Sequence, residues 1–82
     1  MKVHWTQAAL DDVRTIVPEG FRPHLLRHMQ RLVFAGQGRR CTYGRFPDAY
    51  FLKHHHWLVM YVAVDEVTIG VIGVEYNYGQ SV

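Results

Sequence analysis

Apolar and polar positions follow two different periods along this chain. From Phe51 to Tyr78 the period is two: Trp57, Val59, Tyr61 and Ala63 alternate with Leu58, Met60, Val62 and Val64, and beyond Asp65-Glu66, Val67, Ile69 and Val71 alternate with Thr68, Gly70 and Ile72. Folded at the acidic pair, this stretch is a hairpin. Both alternating sets are largely apolar, which predicts central strands covered on both faces, and the chain's own helices are the cover available. With Asp65-Glu66 as a two-residue loop, Val64 faces Val67, Val62 faces Ile69, Met60 faces Val71, Leu58 faces Gly73 and His56 faces Glu75. That register sets His54-His55-His56 beside Glu75-Tyr76-Asn77-Tyr78. Asp-Glu is not the Asn-Gly or Asp-Gly pair that such turns prefer, and a longer loop slips the pairing. The open end of the hairpin is polar in either register.

Ahead of the hairpin the period lengthens to that of a helix. Lys2 to Trp5 reads as a short strand, and Thr6 suits the N-cap of a helix beginning at Gln7, with Leu10, Val13 and Val17 on one stripe and Ala9 and Ile16 beside them. Pro18 and Gly20 stop it. Pro23 suits the first turn of a second helix that carries Leu25, Leu26, Met29, Leu32 and Val33 on one side and His24, Arg27, His28 and Arg31 on another, ending at Gly36. A loop then leads to a strand or extended segment around Cys41 to Tyr43, a turn from Gly44 to Asp48, and a strand from Ala49 to His55. The expected fold is α+β with the order β-α-α-β-β-β: a helical hairpin packed on a small, mainly antiparallel, twisted sheet, forming a single domain over residues 1–82.

Composition narrows the class. A chain of 82 residues buries only ~60% of its unfolded surface, so its stability is modest or depends on a partner. The single cysteine, Cys41, excludes an intrachain disulfide and suits a reducing cytoplasm. The amino terminus lacks an apolar core of signal-peptide length, and no apolar run approaches the ~20 residues of a membrane span. The net charge of +2 hides an asymmetry. Residues 21–56 hold Arg22, Arg27, Arg31, Arg39, Arg40, Arg45 and Lys53 against Asp48 alone, together with five of the six histidines. The favoured partner is therefore a polyanion or an acidic protein segment, set against an unevenly charged but merely solvated surface.

Several constellations are candidates for chemistry. On a strand, His54 and His56 share a face, and with Glu75 opposite they suit a metal site, an acid-base pair or simply a polar strand end. His24 and His28 have the i, i+4 spacing of a helical metal half-site, but they lack the glutamate of His-Glu-x-x-His, and Arg27 and Arg31 repel a cation. No metal or other cofactor is expected. Arg39-Arg40 beside Cys41 would favour a thiolate, although a small buried hydrophobe is the commoner role of a free cysteine. Tyr43, Tyr50, Trp57, Tyr76 and Tyr78 interleave with Arg45 and Lys53, as on a surface for single-stranded nucleic acid, and some of these aromatics must belong to the core.

The opening Met1-Lys2-Val3-His4-Trp5-Thr6 with its Ala-Leu-Asp-Asp helix, the His56-Trp57-Leu58-Val59-Met60-Tyr61-Val62-Ala63-Val64 strand, the acidic turn and the terminal Glu75-Tyr76-Asn77-Tyr78 together resemble RelE/ParE-type toxins of bacterial toxin-antitoxin pairs, the YoeB branch above all. Length and element order agree over nearly the whole chain, and the middle matches loosely. The resemblance implies a cytoplasmic toxin that acts on ribosome-associated mRNA through a concave sheet face, is blocked by an acidic or amphipathic antitoxin, and leaves a homodimer open. In that reading Arg39, Arg40, Arg45 and Lys53 hold phosphates, with Trp57 and Asn77 beside them. His54, His56 and Glu75 line the site, His56 and Glu75 as acid-base groups, and Tyr78 orients or deprotonates the attacking hydroxyl. Two positions depart from the pattern. Asn77 stands where the YoeB branch has histidine, and an amide is no general acid or base. Trp57 or Leu58 stands where the family has an arginine on the scissile phosphate, a loss that typically costs ~2.7–4 kcal/mol of barrier. These departures favour an alternative on the same scaffold: a non-catalytic inhibitor, either ParE-like and directed at DNA gyrase or a phage or mobile-element protein that blocks a nucleic-acid-handling complex. A third reading, an orphan structural subunit, rests only on the small size of the core.

Overall fold

Strand β1, Lys2–Trp5, runs into Thr6, which starts helix α1, Gln7–Ile16. The computed structural model describes residues 2–35 and 38–77, and their side chains except at 32–35. The Thr6 hydroxyl accepts a hydrogen bond from the Ala9 amide at 3.2 Å and donates one to the Val71 carbonyl at 2.9 Å. One side chain thus both caps the helix and ties it to the far end of the chain. Ala9, Val13 and Val17 form the buried stripe of this region. After Pro18 a 3₁₀ turn, Glu19–Phe21, leads into helix α2, Arg22–Ala35. Arg22 closes the junction: its Nε donates to the Val17 carbonyl at 2.9 Å and its Nη2 to the Arg14 carbonyl at 2.8 Å, setting a cation on the carbonyl end of α1. On α2, Leu25 and Met29 are fully buried, while Leu26, expected on the same side, is exposed.

Strands β2 (Arg39–Tyr43), β3 (Phe46–His54), β4 (Trp57–Ala63) and β5 (Thr68–Tyr76) complete a five-stranded sheet in the order β1-β5-β4-β3-β2. β1 runs parallel to β5 and every other pair is antiparallel. The architecture is α+β, with one strand more than the expected order, because Arg39–Tyr43 is a full partner of β3. The turn expected from Gly44 to Asp48 contracts to Gly44-Arg45, with Gly44 at a φ of 57° that glycine adopts freely. Phe46 to Asp48 join β3, and the register shift there falls opposite Pro47 and Asp48, where proline supplies no ladder N–H.

The closing hairpin forms in a different register from the one expected. Ala63 pairs with Ile69, Val62 with Gly70 and Tyr61 with Val71; Ile72 is then skipped, and Met60 pairs with Gly73, Leu58 with Glu75 and Trp57 with Tyr76. Two causes add. The connection is longer than Asp65-Glu66, with the Asp65 carboxylate accepting the Val67 amide at 2.8 Å, and a bulge at Ile72 shifts the pairing again. Glu75 consequently lies opposite Leu58, not His56.

Both helices lie on one face of the sheet, where Leu52, Trp57, Val59, Tyr61, Val71 and Val74 meet Ala9, Val13, Val17, Leu25 and Met29 in one core. Beyond β1, the outer edge of β5 has no strand neighbour; there α1 takes over, and Asp12 accepts the Val74 amide at 3.0 Å. Cover by helices on both faces is therefore not what forms. Ala49, Leu58 and Met60 on the opposite face are buried all the same, outside that core. Phe51 and Gly73 flank Met60 there, and the Tyr43 ring lies on Gly73 so closely that a Cβ would come within 2.5 Å of the phenol oxygen.

Candidate functional site

Partners directly opposite in an antiparallel sheet share a face, so the ladder sorts the expected site residues. Lys53, Leu58 and Glu75 form one row of the helix-free face, and Arg39, Phe51, Met60 and Gly73 form the next. Lys53, Arg39 and Glu75 are exposed there. Arg40, opposite Tyr50, points to the other face and donates to the Asp48 carboxylate at 2.5 Å, so its charge is already matched. Arg45 sits in the β2–β3 turn with its guanidinium 5.8 Å from the Phe46 ring centroid. Arg39 and Lys53 thus come together on one surface, and Arg40 does not join them. Cys41 is half-buried, and burial pushes its thiol up, the reverse of what a reactive thiolate needs.

The three consecutive histidines do not lie along a strand. β3 ends at His54, which pairs with Trp57, and His55-His56 is the two-residue turn between them, with His55 at a φ of 54°. His56 stacks on Tyr76 at 6.2 Å between centroids, and its carbonyl accepts the Asn77 amide at 2.7 Å. Of the expected acid-base group, then, His56 stands at the turn and Glu75 on the helix-free face, while Tyr78 lies outside the described residues. Trp57, expected at a binding surface, is buried on the helix side against Phe21, with ring centroids 5.5 Å apart.

His54 turns inward, with 3% of its surface exposed, and meets the first turns of α2. Its Nε2 is 3.3 Å from His24 Nδ1, its ring centroid is 4.5 Å from that of His28, and His55 approaches edge-on at 4.5 Å. Burial first, then the neighbouring His28, His55 and His24, bring its pKa down to about 4. His28 is lowered as well, by burial and then by His24, Arg31 and His55. The groups acting on His54 are all imidazoles, and both lowered values favour the neutral ring, so His54 and His28 offer lone pairs more readily than charge. Sequence reasoning registered His24 and His28 as a spaced pair but had no means of setting them over His54. That meeting depends on how α2 crosses the sheet.

The chain matches no protein-family model, no curated protein and no solved structure. What the site can do rests on its geometry alone. Beside the histidines, Ile16, Pro18, Phe21, His55, His56, Trp57 and Tyr76 line a cleft of about 400 Å³. Among the described residues the buried Trp57 indole N–H has no hydrogen-bond partner, a state that typically costs about 1–3 kcal/mol. The molecule therefore offers two distinct surfaces: a mixed-charge sheet face bearing Arg39, Lys53 and Glu75, and an aromatic and histidine-rich corner where α2 meets the β3–β4 turn.

Proposed function

We propose that this chain is the toxin of a bacterial type II toxin-antitoxin pair of the RelE/ParE kind, acting in the cytoplasm on ribosome-associated mRNA through its helix-free sheet face. One observation carries the reading: the helical hairpin fills one side of the sheet and leaves the other to Arg39, Lys53, Phe51 and Glu75. Cations beside an aromatic ring on a pleated surface suit a phosphate backbone with unstacked bases, and the same surface suits an acidic antitoxin segment. Inducible expression in bacteria tests it. Growth arrest with cut, ribosome-bound message is the expected result, and undiminished toxicity of both the Lys53→Ala and the Tyr78→Phe variants would sink the proposal.

A second reading is favoured by a specific feature, the separation of His56 from Glu75 by the slipped register, which leaves no acid-base pair between them. On that reading the same face binds and blocks a gyrase-like or other nucleic-acid-handling complex without cleaving anything. Recovery of one stoichiometric protein partner from cells whose messages stay intact would select it over the first.

A further inference from the structure

We propose that His24, His54 and His55 form a binding site for a divalent first-row transition ion, zinc above all. Their candidate ligand nitrogens all lie within 4.8 Å of one another. The closest pair, His24 Nδ1 and His54 Nε2, is 3.3 Å apart. Two nitrogens bound at about 2.0–2.1 Å to one tetrahedral ion stand about 3.3–3.4 Å apart, so this pair already has the spacing of co-ligands. An N–H···N hydrogen bond between the two rings is the competing account at this length, and it makes no use of His55.

Three further features support the assignment. The ligands come from three places, the first turn of α2, the last residue of β3 and the first residue of the β3–β4 turn, as a site that fastens a helix to a sheet requires. His55 holds a left-handed φ of 54°, the one such non-glycine residue among those described, a conformation uncommon outside glycine. Backbone held in that region by a residue with a ligating side chain points to function. Finally, the donor set is all imidazole, which suits zinc, copper, nickel or cobalt and disfavours magnesium and calcium. The His28 ring packs 4.5 Å from that of His54, beside the three, and water would complete the coordination sphere. Arg31 acts on His28 and is not among the groups that act on His54.

The test uses the full-length, untagged chain stripped with a chelator. Cobalt is titrated first, for the visible absorption that tetrahedral coordination intensifies, and zinc second, by calorimetry. Variants are His24→Asn and His55→Asn, both at exposed positions and the second compatible with the turn, with His4→Asn on β1 as control. Circular dichroism establishes that each is folded. The expected result is one zinc per chain, a melting temperature raised by the metal, affinity reduced at least tenfold in each of the two site variants, and no change in His4→Asn. Absence of saturable zinc and cobalt binding, or binding that survives both site variants, overturns the proposal. Because the site is remote from the helix-free face, its failure leaves the RNA-binding reading standing, and the reverse holds equally.

Discussion

His54 shows how far one residue's surroundings depart from what its neighbours in sequence suggest. In the metal-free protein its ordinary pKa of 6.5 falls to about 4, with His24 and His28 facing it from α2, His55 from the turn, and Arg31 beside His28. Between those two values the unfolded chain holds the extra proton and the folded chain does not. Stability is therefore complete above about pH 6.5 and is lost progressively as the pH falls toward 4. Urea midpoints measured across this window in the presence of a chelator should fall with pH, and His54→Asn should flatten the slope. Gly73 is a second residue under tight constraint, since a Cβ there meets the Tyr43 phenol. Gly73→Ala should cost about 1–3 kcal/mol by chemical denaturation, and less in a Tyr43→Ala background, where the obstruction is gone.

Among the elements, the joint between α1 and α2 depends on Arg22, whose guanidinium serves two carbonyls of the preceding helix end. Arg22→Ala should destabilise by about 1–2 kcal/mol, and Arg22→Lys should recover only part of this, because an ammonium cannot span both acceptors as the planar fork does. Denaturant midpoints of the three proteins decide the matter. The same scale shows what could be read from sequence. The capping of α1 by Thr6, its buried stripe and the hairpin after Trp57 all follow from local pattern, because each depends on residues near in sequence. The Ile72 bulge and the full pairing of Arg39–Tyr43 with β3 do not, because they are settled by partners on other strands.

At the scale of the molecule, the expected site divides in two. Arg39 and Lys53 meet on the helix-free face as expected of a basic surface, whereas His54 and Trp57 belong to the other side of the sheet. A one-dimensional reading could not separate them, since adjacent residues on a strand point to opposite faces and the sequence does not say which face the helices take. If single-stranded RNA docks on the helix-free face, Arg39→Ala and Lys53→Ala should each weaken binding and each lower the slope of log affinity against log salt by about 0.7. Arg40→Ala, already paired with Asp48, should leave that slope unchanged. Fluorescence anisotropy across a salt series reads both outcomes.

The parallel pairing of β1 with β5 has a consequence in time. β1 lies at the sheet margin, and among the described residues its strand neighbour is β5, the last strand in sequence. During translation, residues 2–5 must therefore wait, their amides and carbonyls unserved, until Thr68–Tyr76 has left the ribosome. The completed sheet, and any activity that depends on it, forms only once both ends of the pairing are available.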